Sequence, residues 1–290
     1  MKRLLERLQP LKAAVKSIFF ISITVLVVIE LVRLKRTITL ESLESALAGL
    51  SIWHLVLMAV IGLVAVSPML LYDIILNKEL ETDYSKSYIL ETSWAVNTIN
   101  NLAGFAGLVD VGLRYSFYSE NGQEKTGVKA LSRLLPYFMS GLSLLSGLVF
   151  AVFWFFPLSP DLRKYWLLLL GIFLYLPFIF FVSSREKLAY FGQVPLKTRL
   201  SLLLASTAEW GTALGSFVSV AYLMGLHVPL YNLVPLYFLA VIIGIFSMIP
   251  GGIGSFDLIV ITGLTSMGVS NALAVSLLLL FRLTYYVIPF

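Results

Sequence analysis

The constraint that dominates this chain is its apolar runs. Seven stretches, near 14–32, 52–76, 133–157, 165–183, 200–225, 232–249 and 271–290, read as membrane spans, because crossing a hydrocarbon core takes about 20 mostly apolar residues. Inside lipid no water is present to bond the peptide groups, so each span must close its hydrogen bonds within itself. The expected fold is an all-α integral membrane protein, a polytopic helical bundle forming a single transmembrane domain over residues 1–290. A mean hydropathy of +0.91, with 59% hydrophobic and 13% charged residues, agrees with that reading.

Two further stretches, 87–113 and 250–268, mix Asn, Gly, Ser and Asp into an apolar background and read as broken or re-entrant helices. They echo each other. GFAGLVD and GGIGSFD align Gly104 with Gly251, Gly107 with Gly254 and Asp110 with Asp257, at an offset of 147 residues, and Gly252 adds to the second break. Paired glycine-interrupted segments in two halves of a chain point to an internal repeat with a substrate site near the bilayer midplane.

Charge sets the expected topology. The basic N-terminus resembles a signal peptide, but the Ala46-Leu47-Ala48 triplet lies too far downstream, beyond Glu30 and the Arg33, Lys35, Arg36 cluster, so an uncleaved first span is expected. With the N-terminus inside and 87–113 entering and leaving on one side, fifteen Lys and Arg fall inside against five outside, as short cytoplasmic loops require. The piece Thr39–Leu50 is amphipathic and is expected along the interface. LLLLFRLTYYVIPF stops within an apolar run, so the chain is expected to be truncated at its C-terminus.

Several chemistries are excluded. There is no cysteine, and His54 and His227 alone cannot build a metal centre, so neither metal nor cofactor is expected. No P-loop, HExxH or GxSxG motif occurs, and the polar connections, about 114–132 and 184–199, are too short to fold a soluble domain. The net charge of +5 is spread over short loops, which suits anionic lipid rather than nucleic acid.

Ionisable groups within spans are costly, about 2.5–3.5 kcal/mol each, and need a partner or a wet cavity. They are Glu30, Asp73, Glu91, Asp110, Arg114, Glu209, Asp257 and Arg282. Glu30 and Glu91 lie where they can reach the interface, whereas Glu209 sits near the middle of its run. Asp110 and Asp257 follow glycine breaks, where an acid caps a helix start. Arg114 suits either one of these acids or a phosphate. Asn97, Asn100 and Asn101 offer neutral donors and acceptors, for a headgroup or for broken backbone. Gly211 and Gly215 have the small-xxx-small spacing that predicts close helix packing.

NTINNLAGFAGLVDVGLRYSFYS, SMIPGGIGSFDL and LLLLFRLTYYVIPF together resemble the membrane region of the phosphatidylglycerol lysyltransferases, the multiple peptide resistance factor proteins, over nearly the whole chain. In that family a cytoplasmic C-terminal domain moves lysine from lysyl-tRNA onto phosphatidylglycerol, and the N-terminal helices flip the product outward. The resemblance implies a flippase-like domain in the bacterial cytoplasmic membrane that confers resistance to cationic antimicrobial peptides. Its polar translocation positions would be Asp73, Arg114, Glu209 and Asp257, and its partners the bilayer, lysyl-phosphatidylglycerol, and a lysyltransferase domain or a second copy. The soluble lysyltransferase domain of that family is expected to be absent from this chain. Alternatives are a membrane anchor for that enzyme, or a transporter of another solute.

Overall fold

The computed structural model describes residues 49–80, 84–103, 108–118, 131–185, 194–247, 249, 252 and 254–290, and residues 21, 25, 28, 29 and 32 singly. Every regular element among them is helical: α1 (Ile52–Val66), α2 (Leu70–Leu80), α3 (Lys86–Ala103), α4 (Leu108–Tyr118), α5 (Ser140–Phe155), α6 (Pro160–Arg163), α7 (Trp166–Ser184), α8 (Leu196–Leu223), α9 (Leu230–Phe246), α10 (Ser255–Ser266) and α11 (Asn271–Arg282). Most of the first expected span, nearly all of the amphipathic piece, and Gly104, Gly107 and Gly251 lie outside the described residues.

Three continuous runs are long and apolar enough to cross a membrane: Ile52–Leu80, Leu131–Phe155 and Trp166–Ser184; Leu230–Phe246, Ser255–Ser266 and Asn271–Val287 are shorter apolar helices. The protein is thus a helical membrane protein. At 28 residues α8 is long enough, about 42 Å at 1.5 Å per residue, but Lys197, Arg199 and Glu209 dilute its hydropathy.

Local chemistry explains the element boundaries. Ser51 caps α1: its Oγ accepts from the His54 amide at 3.4 Å, and its own amide donates to His54 Nδ1 at 3.3 Å. His54 is therefore a capping residue. A 3-10 turn, Ser67–Met69, separates α1 from α2 where Pro68 has no N–H to donate. Pro177 lies inside α7 and leaves the Phe173 carbonyl without its helical donor. Ser143 of α5 answers it, its Oγ lying 3.1 Å from that oxygen and 2.6 Å from the Ile172 oxygen. Proline is tolerated at membrane depth when a neighbouring helix supplies such a bond.

The hub of the bundle is α8, which packs on α1, α2, α5, α9 and α11. Its buried face carries Leu202, Ala205, Ser206, Ala213, Ser216, Phe217, Val220 and Ala221, and small residues there let backbones approach closely. Ser206 Oγ receives the Gly141 amide at 2.8 Å and donates to the Phe138 carbonyl at 2.6 Å. A Cβ on Gly141 would fall 2.1 Å from the Ser206 carbonyl carbon, so this glycine sets the α5–α8 spacing. At Gly211 and Gly215 a Cβ meets nothing within 4 Å among the described residues, and the two share an outward face with exposed Leu204 and Tyr222, so no described helix packs closely there. Small spacing permits a close neighbour without supplying one.

These contacts predict opposite outcomes for two glycine substitutions. Gly141→Ala must push α5 off α8 and is expected to cost about 1–3 kcal/mol, as overpacking does. Gly211→Ala is expected to be neutral or to stabilise by up to about 1 kcal/mol through helix propensity. Thermal unfolding of the detergent-solubilised variants checks both.

Candidate functional site

The polar heart of the molecule is assembled where α2, α3 and α4 converge. Each contributes short polar groups at helical spacing: Asp73 from α2, Ser93 and Asn97 one turn apart on α3, Asp110 and Arg114 one turn apart on α4. Arg114 and Asp73 are fully buried. The guanidinium meets the Asp73 carboxylate fork to fork, Nε to Oδ1 at 2.9 Å and Nη2 to Oδ2 at 2.8 Å. Nη2 also donates to Asn97 Oδ1 at 3.0 Å, and Nη1 is ion-paired with Asp110.

A further layer orients these partners. Ser93 Oγ donates to Asp73 Oδ2 at 2.6 Å, and Asn97 Nδ2 donates to the Ser93 and Met69 carbonyls at 2.8 and 3.3 Å. Met69 lies in the turn between α1 and α2, so α3 holds the start of the helix that carries Asp73. Two carboxylates thus face one guanidinium in a buried site, the arrangement in which buried charge is tolerated.

Glu209 of α8 stands beside this cluster, separated by aromatic groups. The guanidinium carbon of Arg114 sits 5.3 Å from the centre of the Phe138 ring, and Tyr72 stacks on the same ring at 4.1 Å. The Tyr72 hydroxyl donates to the Glu209 carboxylate. Among the described residues Glu209 forms no salt bridge. The Phe138 carbonyl accepts from Ser206 and lies 3.5 Å from Trp210 Nε1, which fixes the 3-10 turn carrying Phe138 against α8.

Asp257 lies elsewhere. Gly254, at φ +100°, is the N-cap of α10 in a backbone state that favours glycine. Its amide donates to Asp257 Oδ2 at 3.0 Å. The other oxygen accepts from Arg282 Nε at 3.1 Å and Nη2 at 2.7 Å. Arg282 lies 5.7 Å from the Tyr286 ring centre, within an aromatic group of Phe217, Tyr237, Phe256, Phe281, Tyr285 and Tyr286. Gly252 also has positive φ, +63°.

Of the residues expected from sequence, Asp73, Asp110 and Arg114 form one cluster, Glu209 borders it, and Asp257 pairs separately with Arg282. Asn101 Nδ2 is 3.6 Å from Met69 Sδ, and Asn100 Oδ1 is buried with no hydrogen-bond partner among the described residues. Glu91 is exposed. Sequence reasoning did not single out Ser93, Tyr72 or Phe138. The only trace of Ser93 was its one-turn spacing from Asn97. Asp110 and Asp257 are each the third residue of their helix, just after the paired glycine motifs.

Comparison with known proteins agrees with a helical membrane protein. The family described as the lysylphosphatidylglycerol synthase TM region matches residues 17–290. A phosphatidylglycerol lysyltransferase of Bacillus subtilis (strain 168) is 29% identical over 283 residues, covering 95% of this chain and 33% of the relative. One of Staphylococcus aureus (strain MRSA252) is 30% identical over 282 residues, covering 94% and 32% respectively. The chain therefore spans about a third of the length of the curated relatives it matches. It belongs to the lysylphosphatidylglycerol synthase transmembrane-region family.

Proposed function

We propose that this chain translocates lysyl-phosphatidylglycerol from the inner to the outer leaflet of a bacterial cytoplasmic membrane, lowering surface negative charge and attraction for cationic peptides. In this reading it is a multi-pass bundle of about seven spans and two broken segments, N-terminus cytoplasmic, its halves related by the glycine–aspartate echo.

The observation that carries the proposal is Glu209, a carboxylate inside the bundle held by a phenol and joined to no cation among the described residues. A lysyl headgroup brings two ammonium groups and one phosphate. An ammonium fits a carboxylate beside aromatic faces, where both ion pairing and the ring quadrupole favour it. The phosphate matches the guanidinium fork.

Arg114 and its acids are already paired, so the headgroup enters by exchange. Its phosphate takes a place on the guanidinium as its ammonium groups take Asp73 or Asp110, and no charge is left alone in low dielectric. Asp257 and Arg282 offer a second exchangeable pair. Lysyl transfer itself belongs, in this reading, to a domain in the two thirds of the relatives that this chain does not match, which keeps an anchoring role as the second reading.

Cells making this chain together with a separate lysyl-phosphatidylglycerol synthase provide the test. Glu209→Gln and Asp257→Asn are expected to leave total lysyl lipid constant and to reduce the fraction that an impermeant amine reagent reaches. An unchanged outer fraction in folded variants would remove these residues from the mechanism. Arg114→Lys, which keeps the charge and loses the fork, is expected to reduce that fraction as strongly as Arg114→Ala.

Topology has its own measurement, clean because the chain has no cysteine. Lys164→Cys is expected to react with an impermeant maleimide in intact cells, and Lys197→Cys only after permeabilisation. The reverse pattern would invert the orientation.

A further inference from the structure

Acids outnumber bases in the polar heart. Among the described residues Asp73, Asp110 and Glu209 are served there by one guanidinium, Arg114, while Asp257 has its own partner in Arg282. Asp73 and Asp110 both touch that guanidinium. Glu209 does not, because the Phe138 ring and the Tyr72 phenol stand between them, and the Tyr72 hydroxyl is what donates to it.

The elements packed on α8 bring Glu209 no cation of their own among the described residues. On α1 the titratable group is His54, in the cap at the end away from Ala65, whose carbonyl Thr212 of α8 reaches at 2.8 Å. Lys78 and Glu79 lie in the last turn of α2, where Glu79 accepts from Thr198 near the start of α8 at 2.7 Å. No titratable group lies on α5. From α9 and the π-helical turn Leu283–Val287 the phenols of Tyr237 and Tyr285 come within electrostatic range of Glu209, and Arg282 of α11 is held by Asp257.

A surplus carboxylate at membrane depth is costly unless a cation or a proton neutralises it. The acid that touches no guanidinium is where a proton belongs. Glu209 is also placed to change partners. Ser206, Ala213 and Ser216, on its own face of α8, are at most 1% exposed, yet Glu209 is only partly buried. It thus borders open space at a level where the rest of that face is closed. Tyr72 donates to one carboxylate oxygen, which leaves the other to hold a proton or meet a cation.

We propose that Glu209 carries a proton in the empty protein and exchanges it for an ammonium group, so that one proton moves inward for each lysyl lipid moved outward. This rests on the translocation reading above and names what drives it. On the inner side the carboxyl O–H bond breaks, the proton passes to cytoplasmic water, and the carboxylate left behind pairs with the arriving ammonium. On the outer side a proton from external water re-forms the O–H bond and the ammonium leaves. Two ammonium groups and one phosphate give the lipid a single net positive charge, which the proton moving the other way balances. The exchange is therefore driven by a pH difference and is indifferent to membrane potential.

The test uses the purified chain in phosphatidylcholine vesicles holding a small fraction of lysyl-phosphatidylglycerol, with external pH fixed and the lumen made more acidic by about one unit. Exchange carries the lipid toward the acid side in either protein orientation. Against protein-free vesicles, the fraction reached by an external impermeant amine reagent is expected to fall, the inner-to-outer ratio tending to about tenfold. A potassium diffusion potential or a sodium gradient at equal pH is expected to leave the ratio where it stands without any gradient. Leaflets that equilibrate but ignore the pH difference, or follow sodium or potential instead, would overturn proton exchange and leave translocation standing. Leaflets that never equilibrate would overturn translocation and the exchange with it. Infrared spectra of the empty chain in detergent give a readout that needs no transport. They are expected to contain a deuterium-sensitive carboxyl C=O band that Glu209→Gln lacks and that added lysyl-phosphatidylglycerol removes. A carboxyl region equal to that of folded Glu209→Gln would overturn the proton at Glu209.

Discussion

A fully buried guanidinium is the constraint on which the rest of the structure depends. Arg114 is fully buried, and its N–H groups must find acceptors inside the bundle or carry a desolvation cost of several kcal/mol. The acceptors come from three helices, Asp73 of α2, Asn97 of α3 and Asp110 of α4 itself. Their demands propagate outward: Ser93 is needed to orient Asp73, and Asn97 also holds the Met69 carbonyl where α2 begins. A buried ion cluster of this sort adds little net stability over an apolar core. What it fixes is register, because the fork geometry is met at one relative placement of α2, α3 and α4.

The helix-opening segments at Leu108 and Ser255 are the second device, and they work with the first. Each starts a short helix with an aspartate at its third residue, where a carboxylate suits the free amides and the positive end of the dipole. Each aspartate is also paired with an arginine, Asp110 within its own helix and Asp257 across to α11. The backbone irregularity and the charge therefore arrive together. A regular span would have offered neither a free helix start nor a reason to keep an acid at that depth.

Much of this was legible in sequence, and the reasons are physical. Apolar length reports spans because lipid imposes it, and carboxylates in apolar runs were conspicuous because burial is costly. Tyr72, Ser93 and Phe138 were not, since a tyrosine, a serine and a phenylalanine are ordinary in membrane helices and only contact gives them a role. The Asp257–Arg282 pair joins residues 25 apart on two helices, beyond any one-turn rule. Ser143 answering the carbonyl freed by Pro177 is invisible for the same reason. Spacing along one helix says nothing about what stands opposite, and among the described residues nothing packs on Gly211 or Gly215. The place of α8 as hub also escapes hydropathy, since its buried face uses serine and alanine to let neighbours close in.

The Phe138 ring is the contact that joins Arg114 to the Tyr72–Glu209 pair. Arg114 lies over it, Tyr72 stacks on it, and Tyr72 holds Glu209. Ring, phenol and guanidinium are close-packed, and packed interiors shift between discrete arrangements instead of deforming smoothly. The Phe138 carbonyl completes the link, because it accepts from Ser206 and so ties the ring, and the phenol stacked on it, to the helix that carries Glu209.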